Sequence, residues 1–112
     1  MDNEDNGDKR ARTGKEERFM LFMVIERFEP GRVAEVYRRV RERGRSFPVG
    51  LDYVDSWVEA GFGRCFQLMP CDDERLLEQW MRSWEGCGIG FEEVVPVVTS
   101  AEAREAAASL PD

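Results

Sequence analysis

The chain reads as a domain of the α+β class, with strands and helices in the order β-α-β-β-α-β and a short helix after the last strand. Three observations predict this. Residues 19–25 form an unbroken apolar run bounded by charges, too short for an ordinary buried helix and therefore a strand. Two later segments repeat apolar residues at three- and four-residue spacing, the period of a helix with one buried stripe. Between them, Ala60, Gly61, Phe62 and Gly63 separate two strand-like runs, which makes a hairpin.

The elements follow in chain order. Residues 1–18 carry six acids and five bases and no large apolar residue after Met1, so they cannot offset the entropy of ordering. They are expected to be a disordered charged tail ahead of a single domain at 19–112, and Met20 is an alternative start of translation. The run 19–25 is apolar on both faces, since successive strand side chains point to opposite sides, and Glu26 is expected to close it, the alternative being that it hydrogen-bonds a ligand. Pro30 and Gly31 precede a helix with Val33, Val36, Tyr37 and Val40 on one stripe and Gly44 as its C-terminal cap. Residues 51–59 and 64–69 are the hairpin strands, in a register that pairs Ser56 with Gln67. Asp72 and Asp73 stand ready to cap a second helix whose Leu76, Trp80 and Trp84 make a core stripe, with Leu77 and Met81 beside it. Residues 91–98 are the fourth strand, in which Pro96 marks an edge or an end. Thr99 and Glu102 have capping-box spacing and open an Ala-rich helix.

This order is the ferredoxin-like split arrangement, a four-stranded antiparallel sheet with both main helices on one face. Its second face is left bare. Because the first strand and the hairpin are apolar on that face too, a second copy of the chain is expected to cover it, giving a homodimer.

Composition removes many chemistries. There is no histidine, no lysine after Lys15 and no asparagine after Asn6. Ser-His-Asp and Cys-His catalysis, His-ligated zinc and His-held haem are therefore excluded, as is a Schiff-base lysine in the folded part. Proton chemistry falls to Asp, Glu, Tyr, Cys or water. Cys65, Cys71 and Cys87 are odd in number and widely spaced, which fits reduced thiols and no zinc knuckle, so no metal or cofactor is expected. The net charge of -7 lies almost wholly in residues 19–112, which argues against nucleic acid and anionic membrane as partners. Six arginines between Arg32 and Arg45 read as a solvated helix face. With no run long enough to span a bilayer and a charged N-terminus in place of an apolar leader, a cytoplasmic location is expected.

The run 20–26, the segment 50–57, the strand 64–69 and the ending 95–102 together resemble a bacterial family of unknown function within the dimeric α/β-barrel, ferredoxin-like superfamily. The resemblance covers residues 20–104 and implies the fold and the dimer, with no reaction attached. Characterised members of that superfamily include cofactor-free oxygenases of aromatic polyketides, haem-handling proteins and muconolactone isomerases. The oxygenases rely partly on an asparagine and a tryptophan and the haem branches on histidine, whereas this domain offers tryptophans only.

The candidate site comes from polar residues set among apolar ones on the hairpin. In the expected register Ser56, Cys65 and Gln67 share one face, and Tyr53, Asp55 and Trp57 the other. Asp55 between two aromatics is the candidate general base, its bland counterpart being an interface carboxylate paired with an arginine. The expected function is binding of a hydrophobic or aromatic small molecule in a mostly apolar pocket lined by these six residues. The alternative is a non-catalytic structural or interaction dimer in which they satisfy one another.

Overall fold

The computed structural model describes residues 20–111, and the charged N-terminal segment lies outside them. The elements are β1 (Met20–Phe28), α1 (Val33–Arg43), β2 (Asp55–Val58), β3 (Arg64–Cys71), α2 (Glu74–Ser83), β4 (Ile89–Pro96) and α3 (Ser100–Ala107). All strand pairs are antiparallel and the sheet order is β2-β3-β1-β4. This is an α+β ferredoxin-like sheet with a C-terminal helix, as the segment order predicts.

Local chemistry accounts for the boundaries. Gly44 takes φ 69° and donates its N–H to the Val40 carbonyl, a positive-φ cap that suits glycine. Asp73 accepts from the Arg75 N–H at the start of α2, and Thr99 and Glu102 close a full capping box on α3. β4 is an edge strand that ends at Pro96, whose missing N–H costs nothing there.

Strand alternation sorts β1 and β3 into two faces. Phe22, Val24, Glu26 and Phe28 of β1 are buried toward the helices, with Cys65, Gln67, Met69 and Cys71 of β3 beside them. Val36, Leu77, Trp80 and Trp84 close this core from the helices. The opposite face carries Leu21, Met23, Ile25, Phe66 and Leu68, all half-buried, with Trp57 at 51% exposure. No described element lies across that face.

Some details differ from the sequence-based expectation, among them the third strand, which runs on to Cys71, and the fourth, which spans Ile89–Pro96 in place of 91–98. β1 does not end at Glu26, because the chain stays paired with both β3 and β4 as far as Arg27 and beyond. Glu26 is therefore an interior strand residue. β2 is shorter than residues 51–59: Leu51 makes an isolated bridge to Cys71, and regular pairing begins only at Asp55. The buried stripe of α2 runs through Leu77 instead of Leu76, which is half-buried next to Gly50.

Candidate functional site

The one buried carboxylate of β1 organises the polar interior. Glu26 is 4% exposed and Gln67, diagonal to it on β3 and opposite Val24, is 3% exposed; both project among aromatic and aliphatic side chains. The Gln67 amide N–H2 donates to Glu26 Oε2. Its carbonyl Oε1 accepts from Arg45 Nη1 at 2.9 Å, so a neutral amide links a cation to a carboxyl group. The pairing of β1 with β4 shifts register between Ile25 and Glu26, leaving Glu92 unmatched beside this position. Such irregularities bend a strand and re-aim the adjacent side chain.

Arg45 comes from the irregular segment between α1 and β2, and its placement is over-determined. Its backbone carbonyl accepts from the indole N–H of Trp80 at 2.8 Å and, more weakly, of Trp84 at 3.4 Å. Its guanidinium lies over the Tyr53 ring, 4.4 Å from the centroid. Tyr53 in turn hydrogen-bonds Ser56 Oγ at 2.8 Å and stacks on Phe47, which packs against Trp80. The two tryptophans of α2 thus serve the core with their rings and the Arg45 segment with their N–H groups.

Between sheet and helices these residues enclose a cavity of about 50 Å³. Its apolar wall is formed by Phe28, Val36, Val40, Trp80, Trp84 and Ile89, and its polar patch by Glu26, Gln67, Arg45, Ser56, Cys65 and Tyr37. A volume of this size holds a few waters or a ligand of a few heavy atoms, well short of the roughly 300 Å³ at which drug-sized pockets begin. A larger aromatic guest does not fit without movement of the lining.

Burial dominates the electrostatics here. Desolvation pushes the Glu26 carboxyl up from 4.5 to about 7, against the hydrogen bond from Gln67 and the charge of Arg45, which both favour the ionised form. The same desolvation, helped by the negative charge of Glu26, pushes the Cys65 thiol up to about 12. Tyr37 is likewise raised, chiefly by burial. Cys65 is thus a poor nucleophile, whereas Glu26 changes protonation near neutrality and is suited to accept or deliver a proton.

The structure brings Ser56, Cys65 and Gln67 together around this cavity, and Tyr53, expected on the other face, lies behind two of its lining residues, Ser56 and Arg45. It precedes β2, so strand alternation does not govern it, and its ring turns back toward Ser56 and Arg45. Asp55 and Trp57 lie on the open face of the sheet, away from the cavity, where both are exposed. Asp55 Oδ1 accepts from the Ser56 backbone N–H at 2.8 Å. Two further residues are central to the constellation: Glu26, for which ending the strand is the sequence-based expectation and a ligand contact the alternative, and Arg45, expected on the solvated face of the first helix but lying beyond its end at Arg43. The period-2 series Phe22, Val24, Glu26, Phe28 contained the signal for the first; nothing local marked the second.

A second concavity, of about 270 Å³, lies between the outer side of α1 and the turn after α2. Glu35, Arg38, Arg39, Glu42 and Arg43 line it with charges of both signs. Arg39 lies over the Trp84 ring at 4.3 Å and donates to Cys87 Sγ and to the Ser83 carbonyl. Lacking an apolar wall, this groove has the character of a solvated helix surface. Among the described residues no cluster of three or more His, Cys, Asp or Glu side chains is placed to hold a metal ion, and no helix is long and apolar enough to cross a membrane.

Fold and site together define a small ferredoxin-like α+β domain with a buried carboxyl–amide pair under its helices, linked to a half-buried guanidinium. Residues 20–111 match the model of the family described as Domain of unknown function (DUF3303), and the chain belongs to that family. No curated protein and no solved structure gives a significant match.

Proposed function

We propose that the domain is a small-molecule-binding module whose site is the cavity at Glu26, Gln67 and Arg45. The observation that carries this reading is an ionisable carboxyl group buried against an apolar wall and bridged to a half-buried cation by a single amide. Burying such groups is costly, and apolar side chains of equal volume would serve stability better. The ligand is small and mostly apolar with a polar end; a hydrophobic or aromatic molecule larger than a few atoms enters with displacement of the lining. Glu26 then replaces Asp55 as the proton-handling group.

The unit that binds is a homodimer, formed through the open sheet face with Met23, Ile25, Phe66, Leu68 and Trp57 at its centre. Native mass spectrometry of the purified chain tests both statements, since it reads stoichiometry and any retained molecule together. A dimer carrying extra mass that is lost on Gln67→Ala supports the reading. A monomer with no retained mass, whose cavity residues respond to no member of a fragment library, overturns it.

A second reading is favoured by the cavity volume. At about 50 Å³ the space is small enough for the polar groups to do no more than satisfy one another within a structural or protein-interaction dimer. On that reading Gln67→Ala lowers stability and changes no ligand binding.

A further inference from the structure

We propose, on the footing of the ligand-site reading above, that the cavity takes the carboxylate of a short-chain monocarboxylic acid, with Arg45 as its anion donor, and that Glu26 takes up one proton from solvent as the anion binds.

The geometry for the anion lies in Arg45. Among the described residues, its side chain makes one hydrogen bond, to the neutral Gln67 carbonyl, and no ion pair. A guanidinium offers five N–H groups in a planar fork that matches a carboxylate. Here one is engaged, while the ring of Tyr53 holds the plane in position at the rim of the cavity. A half-buried cation with spare donors at the wall of an apolar hollow is a ready seat for a carboxylate whose alkyl body packs on Val36, Val40 and Trp80. The volume of about 50 Å³ limits the guest to about four heavy atoms, or slightly more with local relaxation.

Charge accounting supplies the proton. With Glu26 ionised, Arg45 and Glu26 sum to zero; a bound anion would leave a net negative charge in a desolvated space. The other titratable groups facing Glu26 cannot relieve this. Cys65 from β3 and Tyr37 from α1 are neutral, β4 presents Phe91 and Val94, and α2 presents Trp80. Glu26 is the group able to accept a proton, and its carboxyl, already held at about 7 by burial, does so readily. The protonated carboxyl still accepts from Gln67, so the positioning chain survives.

The test is an NMR titration of the full chain with propionate and with its neutral match propionamide, at about pH 6 and about pH 8, where propionate is ionised throughout. With Glu26 titrating near 7, propionate is expected to bind about tenfold more weakly at the higher pH, and propionamide equally at both. Glu26→Gln should abolish the pH dependence while keeping the tighter affinity, and Arg45→Gln should lose propionate binding at least tenfold. Propionate binding that is pH-independent in the wild type, or unaffected by Arg45→Gln, overturns the proposal. Binding of propionamide without propionate overturns it too, yet leaves the cavity a ligand site. If neither probe binds, this proposal fails, and the retained mass in the native spectrum decides the broader reading separately.

Discussion

Replacing Glu26 with glutamine should stabilise the domain at neutral and alkaline pH and leave it nearly unchanged in mild acid. In the unfolded chain the carboxyl titrates near 4.5, and in the folded domain burial holds it at about 7. Between those values the folded state binds a proton that the unfolded state has lost, so stability falls as pH rises. Each tenfold preference for the protonated form corresponds to about 1.4 kcal/mol, so the full loss is about 3 kcal/mol, complete once pH exceeds the folded value. Below 4.5 both states are protonated and the stabilisation is fully present. Glutamine keeps the shape and can accept from Gln67, but carries no charge to desolvate. Urea denaturation at about pH 5 and about pH 8 should therefore show a wild-type midpoint that drops by on the order of 1–2 M, and a Glu26→Gln midpoint without that drop. Parallel profiles for the two proteins would refute the assignment of the raised carboxyl to Glu26.

Other outcomes follow from the same contacts. Trp80→Phe removes the stronger donor to the Arg45 carbonyl and should cost about 1–2 kcal/mol, with faster amide hydrogen exchange across residues 44–54 than in the wild type. Thr99→Ala breaks the capping box of α3, a helix with no buried residue; helicity should fall by circular dichroism while the global unfolding free energy from urea denaturation changes by less than about 0.5 kcal/mol. With iodoacetamide at about pH 8, half-exposed Cys87 should be alkylated first and buried Cys65 last, as peptide mapping would read.

The fold was legible because its signals are local. The apolar run of β1, the glycine cap at Gly44, the capping box at Thr99 and the hairpin register that sets Ser56 opposite Gln67 each depend on residues close in sequence. The site was legible only in part. Ser56, Cys65 and Gln67 could be placed on one face by alternation alone, and they do line the cavity. For Glu26 the sequence favours a strand end over a ligand contact because charge usually ends an apolar run; pairing with β3 and β4 on both sides carries β1 past it. Asp55, singled out for its aromatic neighbours, lies at the start of an edge strand, where those neighbours give it no burial. Arg45 could not be found at all from its surroundings in sequence, since what holds it are Trp80 and Trp84, 35 and 39 residues away. Contacts across such separations are set by tertiary packing and leave no periodic trace.

The most direct test of the central claim, that the Glu26–Gln67–Arg45 chain is the ligand site, is a fragment screen by NMR that follows the Gln67 side-chain amide and the backbone amides of Ser56 and Cys65. Small, mostly apolar fragments with a polar end are expected to shift these signals together, and Gln67→Ala to remove the response. Shifts confined to the open face around Ile25, Trp57 and Leu68, with the Gln67 amide unmoved, would contradict it and make that sheet surface the working part of the molecule.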